Sequence, residues 1–408
     1  MEQSHDIIIS GGGMVGLALA LAAAQLGLKA AVIERNAVRA SEATPGQFNS
    51  RVSALNKTSE NLLKNLGAWQ HLPQQRIAAY QRMRVWDGLG SGELSFDAQD
   101  VAEPWLGHII ENCEIVAALM AEASHHSNID LLCPECIASW EQTASGVSVV
   151  TESGQSLSAK LIIACEGKDS ILRQQSQIQS WNWEYGHTAI VCTVHNTLPH
   201  KACAQQVFLE TGPLAFLPLA EPNSSAIVWS ANHTDAEQLL KLSDDEFRQA
   251  LERAFERRLG KLDNISPRTA FPLMAHQAKS YSDGRLVILG DTAHGIHPLA
   301  GLGVNLGFLD VAALASEWQW AINRQTDIAS EQVLRRFQRQ RQAHNLAVAG
   351  LMDGLKRLFN SDLPPAVILR NLGLSQVNRF KLVKRQLILG AMGLAGTPLP
   401  ALCVKRER

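Results

Sequence analysis

The run from Asp6 to Glu34, DIIISGGGMVGLALALAAAQLGLKAAVIE, leaves a chain of this kind few folds to choose from. An isoleucine-rich strand, Asp6 to Ser10, leads straight into Gly11, Gly13 and Gly16. An Ala/Leu-rich helix follows and stops at Gly27, and a second apolar strand ends in Glu34. The pattern predicts a complete βαβ nucleotide-binding unit. Gly11 permits the tight strand-to-helix turn, Gly13 lets backbone N–H groups approach a pyrophosphate, and Gly16 lets helix and strand pack closely. The helix N-terminus then offers unpaired donors and partial positive charge to phosphate. Glu34, 23 positions after Gly11, is placed to accept hydrogen bonds from ribose hydroxyls, and it would repel a 2′-phosphate. The motif alone leaves NAD and FAD both open.

The 408-residue chain is too long for one simple core and implies two domains or three. Hydrophobic residues at 46% and charged residues at 19% describe a soluble globular protein. A net charge of −2 gives no electrostatic case for nucleic acid. Seven cysteines without framework spacing fit free thiols in a reducing cytoplasm. With a strand starting at Asp6 there is no room for a signal peptide, and the apolar Gly13–Leu26 stretch is too short to span a membrane. Leu387 to Val404 carries no charge, but its three glycines and two prolines exclude a regular spanning helix.

Further along, a helix is expected from Lys57 to Leu66, capped by Gly67, and strand-like pieces from Met83 to Phe96 flank a glycine-rich turn. A helix at 114–126 precedes strands at Ile129–Leu132, Val147–Thr151 and Leu157–Ala164. The last leads into a turn carrying Glu166, Gly167, Ser170 and Arg173. From Ile178 to Pro272 the texture is alternating and β-rich, with one helix near Asp244–Leu259. Arg285–Leu289 then returns to an apolar strand, followed by GDTAHGIHPLAGLGVNLG and a long helix to about Asn323. The first domain is therefore discontinuous, with the second inserted between its strands.

With these three stretches in place, the chain resembles the group A flavoprotein aromatic monooxygenases, the p-hydroxybenzoate hydroxylase class. Gly11, Gly13, Gly16 and Glu34 match that family's dinucleotide motif, and Glu166-Gly167 its second motif. Gly290-Asp291 with Pro298, Gly301, Gly303 and Asn305 match its third. HPLAGLGVNLGFLD, RVSALN, HIIEN and LAFLPL are similar to the bacterial ubiquinone-biosynthesis hydroxylases over nearly the whole chain. Two positions depart from the pattern: Glu166 stands for an aspartate and Leu302 for a glutamine. The resemblance implies an α/β fold, an FAD-binding Rossmann-like domain of the glutathione-reductase type with an inserted β-rich substrate domain and a helical C-terminal region. The divisions expected are 1–75, 105–177 and 280–340 for FAD, 76–104 and 178–279 for substrate, and 341–408 for the helical region.

It also implies bound FAD, NAD(P)H and O2 as co-substrates, and hydroxylation of a polyprenylated phenol through a C4a-hydroperoxyflavin. Arg35, Arg51 and Val304 join the motif residues as the expected FAD-binding set, with Asp291 on the ribityl hydroxyls. Only one dinucleotide fingerprint is present, so NAD(P)H would bind transiently at the domain boundary. His297, Pro298 and His187 are the catalytic candidates, against the ordinary reading of His294, His297 and His187 as packing residues. No metal is expected: Cys133 and Cys136 lack the further ligands of a closed zinc site. Lys356, Arg357, Arg370, Arg379, Lys381, Lys384 and Arg385, interleaved with apolar residues, describe a basic amphipathic surface. It could rest on the inner membrane face, dock a ubiquinone-biosynthesis complex, or be a solvated helical face; a homo-oligomer is a further candidate assembly. Two rival functions are a hydroxylase of a small soluble phenol and a non-catalytic FAD-binding scaffold.

Overall fold

All four residues of the strand Ile7–Ser10 are buried, as the centre of a parallel sheet covered on both faces requires. The computed structural model describes residues 4–37, 46–295, 303–359 (355–359 as backbone only), 378, 380–394 and 399–405. Ile7–Ser10 pairs in parallel with Ala30–Ile33 on one side and Leu161–Ala164 on the other. Ile129–Leu132 extends the first side, while Leu286–Ile288 and the short antiparallel Ser282–Asp283 extend the second. Segments far apart in sequence thus build one sheet, as the discontinuous pattern of apolar runs implies. The helix Met14–Gln25 is apolar all round, with every residue from Gly16 to Ala23 buried. It is sandwiched between Asn112–Ala123 and Gly303–Asn323, which is why it needs no polar face.

A second, nine-stranded sheet runs in the order His294–Gly295, Thr269–Ala278, Ser180–Asn196, Ser224–Asn232, Gly212–Pro218, Cys203–Leu209, Arg82–Asp87 and Glu93–Asp97, with Leu262–Ile265 also paired to Ser180–Asn196. Every pairing is antiparallel except that of Cys203–Leu209 with Arg82–Asp87. One face is covered by the helices His233–Lys241 and Asp244–Ala254, whose Phe247 and Leu251, with Phe255 just beyond, are buried against Trp229, Trp86 and Phe216. Ser243 opens the second helix with a capping box to Glu246. The short strand His294–Gly295 joins this sheet only a few residues after Leu286–Ile288 leaves the parallel one. The segment between them is the link from one sheet to the other.

Three expectations need correction. Leu157–Ala164 is two strands, because the chain turns at Lys160, whose backbone N–H donates to Asp6 O and whose Nζ pairs with Asp6 at 2.8 Å. Ser156–Ala159 belongs to a separate antiparallel sheet with Val147–Thr151 and Ile137–Gln142. The helical stretch near Asp244 is a pair of helices, the second ending at Ala254, where Glu256 and Arg257 take positive φ. His187, expected to begin the first strand of the inserted domain, sits instead at a register shift seven residues inside Ser180–Asn196.

After Gly303–Asn323, the helix Glu331–Phe359 packs back against it. The helix Lys381–Ala391 rests on the other end of the large sheet, with Ile388 and, beyond its end, Met392 buried against Ala98 and Leu106. Lys384, counted in the basic series, is tied to Asp100 at 2.7 Å. The side chains of Lys356 and Arg357, and all of Arg370 and Arg379, lie outside the described residues. Among the described residues no helix is long and apolar enough to cross a membrane.

Two glycines of the first turn separate folding from binding. A Cβ on Gly16 would lie 1.9 Å from Gly11 O, whereas one on Gly13 meets nothing within 4 Å. Gly16→Ala is therefore expected to cost the apoprotein about 2 kcal/mol or more, read as a lower urea midpoint. Gly13→Ala should keep that midpoint and weaken FAD binding.

Candidate functional site

Three backbone segments meet at one point of the parallel sheet. A Cβ on Gly290 would lie 3.1 Å from the Val15 side chain, and one on Gly307 would lie 2.6 Å from it and 3.5 Å from Gly290 Cα. The start of the helix Met14–Gln25, the Gly290–Thr292 turn and the first turns of Gly303–Asn323 are thus in contact. Gly11 makes the approach possible with φ +106, and a Cβ there would strike Cys165 O at 2.4 Å.

The helix Met14–Gln25 starts at Gly13 with no side-chain cap and no acidic residue in its first turn. Its leading N–H groups are left to an external anion, with open space at Gly13 to receive it. Glu34 stands at the end of the second strand, accepting from Gly12 N at 2.7 Å and Asn36 N at 2.8 Å. This ties the acid to the glycine turn beside its ribose position. Arg35 is exposed just beyond.

Glu166 has a different setting from the one the motif suggests. Its Oε1 accepts from Ser10 Oγ at 2.6 Å, and its Oε2 from Ser170 Oγ at 2.5 Å and Leu172 N at 3.2 Å. The longer side chain folds back to brace the end of the central strand against the helix Ile171–Gln175. Gly167, with φ +81, donates its N–H to Thr292 Oγ1 at 3.0 Å, and Arg173 Nη1 donates to Thr292 O at 2.8 Å. The second motif is therefore tied to the third through Thr292, which sequence reading did not single out.

Asp291 is solvent-accessible and 3.8 Å from where a Gly303 Cβ would stand, beside the N-terminus of Gly303–Asn323. Crowding by the surrounding protein raises its carboxyl above the usual range, with the charges of His294 and Arg51 opposing the shift. Arg51 Cζ lies 5.7 Å from the Phe271 ring centroid, so this arginine stands between Asp291 and the large sheet. There Tyr185, Ala189, Leu273 and Ala275, with Trp183 and Phe271, form an apolar cluster. His187 is buried beside it, paired across the strands with Leu273 and Asn232.

Asn305 is buried and committed to the protein. Its Nδ2 donates to Ala54 O at 2.8 Å, while its Oδ1 accepts from Asn56 N at 3.0 Å and Ser59 Oγ at 2.6 Å. Val304 packs against the main core. His294 is buried, with Nε2 2.5 Å from Asp310 Oδ2, in keeping with its reading as a structural histidine. His297, Pro298, Gly301 and Leu302 lie outside the described residues. Cys133 donates its thiol to Asn36 O, and among the described residues no three His, Cys, Asp or Glu side chains group as a metal site.

The arrangement fits FAD. The uncapped helix end and the open face at Gly13 suit the pyrophosphate, Glu34 the adenosine ribose, and Asp291 beside a second helix N-terminus the ribityl end. The chain belongs to the FAD binding domain family, which matches residues 4–350, and within it to the FAD-dependent monooxygenases. It is 33% identical to the mitochondrial ubiquinone biosynthesis monooxygenase COQ6 of Danio rerio, over 95% of this chain and 89% of the relative. It is 34% identical to the 3-demethoxyubiquinol 3-hydroxylase of Escherichia coli K12, over 96% of this chain and all of the relative. The fold superposes on the crystal structure of p-nitrophenol 4-monooxygenase PnpA from Pseudomonas putida with a TM-score of 0.78 at 18% identity, covering 98% of this chain and 100% of that one.

Asp291→Asn is expected to weaken FAD binding about tenfold, measured by flavin fluorescence, without lowering the apoprotein urea midpoint. Glu166→Ala should do the reverse, costing about 1–3 kcal/mol of stability as its three donors lose their acceptor. A pH dependence follows from His276, which packs against Gly295. Burial, aided by the Arg173 charge, lowers its imidazole from 6.5 to about 4. Between those values the unfolded chain binds the proton and the folded chain does not, so stability is full above the window and falls as the pH drops through it. His276→Gln should flatten the loss of urea midpoint across that range.

Proposed function

We propose that this protein hydroxylates the aromatic ring of a polyprenylated phenol in ubiquinone biosynthesis, using NAD(P)H and O2. The observation that carries the reading is the 33–34% identity, across nearly the whole chain, to a ubiquinone biosynthesis monooxygenase and a demethoxyubiquinol hydroxylase. Bound there, FAD would supply the hydride acceptance from NAD(P)H and the oxygen activation that ring hydroxylation needs. The chain's own work is to hold and to shield. The Gly11–Gly16 turn and Asp291 fix the cofactor, and the helix N-terminus at Gly303 favours negative charge on the reduced ring. Tyr185, Ala189, Leu273 and Phe271 offer an apolar wall against which an aromatic ring and the start of a prenyl chain can exclude water. Arg51 stands at the junction of wall and cofactor turn. His297, Pro298 and His187 keep the role of catalytic candidates, His187 from the strand that carries the wall.

The helix Lys381–Ala391 supports contact with a membrane that stores such a substrate. Its buried side docks on the large sheet, while Leu382, Val383 and Leu387, with Phe380 before it, are exposed next to Lys381 and Arg385. The helix contains no acidic residue, so this face suits an anionic phospholipid surface. Leu382→Glu with Leu387→Glu should weaken sedimentation with anionic vesicles about tenfold or more while leaving FAD binding intact. Unchanged sedimentation removes the membrane contact.

The central test is anaerobic mixing of the FAD-loaded protein with NADPH, with and without a short-chain prenylphenol, followed by 18O-labelled oxygen. An octaprenylphenol-type ring is the parent structure to truncate. Faster flavin reduction with the phenol, and one labelled oxygen in the recovered ring, are the expected results. Turnover only with small soluble phenols would replace the substrate assignment. Flavin that stays oxidised with every phenol tried, even beside partner proteins, would leave a non-catalytic scaffold.

A further inference from the structure

One buried carboxylate near the cofactor turn has no part in the reading above. Asp310, fully buried on the helix Gly303–Asn323, accepts from Gly290 N at 3.1 Å and meets His294 Nε2 at 2.5 Å through Oδ2. Its Oδ1 accepts from Arg341 Nε at 2.7 Å and Asn345 Nδ2 at 3.3 Å. Arg341 is 4% exposed and Asn345 fully buried, both on the helix Glu331–Phe359. Arg341 Nη2 continues to Asn345 Oδ1 at 2.8 Å, and Asn345 Nδ2 to Tyr281 Oη at 3.1 Å. Four donors from three segments therefore converge on a single carboxylate. One of them is the N–H of Gly290, the residue at φ +57 that aims Asp291.

We propose that Asp310 and Arg341 are positioning residues for FAD, a charge-neutral buried unit through which the helix Glu331–Phe359 sets the Gly290–Asp291 turn. Asp310 accepts from the turn and from His294 through one oxygen, Oδ2, and Arg341 is the cation that makes a buried carboxylate tolerable there. Because Arg341 supplies the positive charge, His294 needs only to donate Nε2–H, and its Nδ1 has no hydrogen-bond partner among the described residues. Without Arg341 the buried Asp310–His294 pair is left short of one positive charge and becomes neutral only by taking up a proton. The turn would then be held in place only while the pair keeps that proton.

The groups facing His294 and Asp310 do not blur this behaviour. His276 is lowered to about 4 and Tyr281 raised to about 12, both mainly by burial, so neither changes charge near neutrality. Burial also lowers His344 and raises Cys165, taking both further from titration there. The Asp291 carboxyl, though raised, belongs equally to wild type and variants and cancels in the comparison.

The test reads FAD affinity of the apoprotein by fluorescence from about pH 6 to about pH 9, the range in which a histidine is the group to titrate. It depends on flavin binding alone, so it stands or falls separately from the substrate assignment. Arg341→Met should weaken FAD binding about tenfold or more at the alkaline end and recover at the acid end, relative to wild type. Adding His294→Gln should abolish the recovery. Arg341→Lys should restore the wild-type profile, as should the neutral pair Asp310→Asn with Arg341→Met. Equal weakening by Arg341→Met at every pH, or a neutral pair that folds but has the Arg341→Met profile, overturns the proposal. Should Arg341→Met not fold, the neutral pair decides: FAD binding with the wild-type profile supports it, and no FAD binding refutes it.

Discussion

The structure depends on three stretches of backbone approaching one another with almost nothing between them. The Val15 side chain lies between them, approached by Gly290 and Gly307. A methyl group at Gly307 would already lie 2.6 Å from Val15, so any other residue there would force the side chain or the helix Gly303–Asn323 to shift. That contact fixes where the two helix N-termini point, and hence where a long anionic cofactor can lie. It also decides why the motifs must be on separate segments: one chain segment cannot present two helix ends and a strand end to the same ligand.

Glycine turns and apolar runs are backbone statements, and the sequence carried them well. The βαβ unit, the return of the chain at Leu161–Ala164 and Leu286–Ile288, and the β-rich texture of the second region were all legible. What was hidden were side chains whose partners are far away in sequence. Glu166 looked like a ligand group because its neighbours matched a motif, but its extra methylene lets it reach Ser10 and Ser170. Asn305 sits in the third motif, yet its amide is spent on Ala54, Asn56 and Ser59, some 250 positions earlier. Asp310 lay inside a quoted stretch without an assigned role. Arg341, one arginine in a basic helix, had no local signal at all. The corner at Lys160 was missed because two short apolar strands in tandem read as one long strand until the pairing partners are known.

The large sheet carries two separate apolar clusters. One face is covered by Phe247, Leu251 and Phe255 and is an ordinary core. The Tyr185, Ala189, Leu273 and Ala275 cluster is small and separate, and it is brought toward the cofactor turn by Arg51 and by the edge strand His294–Gly295. Polarity is concentrated at the flavin turn and apolar surface at the wall.

The order in which the strands occur has a consequence for how the molecule is made. The central strand Ile7–Ser10 waits for Leu161–Ala164, which in turn waits for Leu286–Ile288. Arg82–Asp87 cannot find its parallel neighbour until Cys203–Leu209 exists, and the far edge is finished only by His294–Gly295. On the ribosome, neither sheet can close until roughly three quarters of the chain has been synthesised, and both then close within a few residues of each other. Until that moment Leu161–Ala164 lacks its outer neighbour Leu286–Ile288, and a nascent chain stopped short of Gly295 would be a ready substrate for chaperones rather than a smaller folded protein.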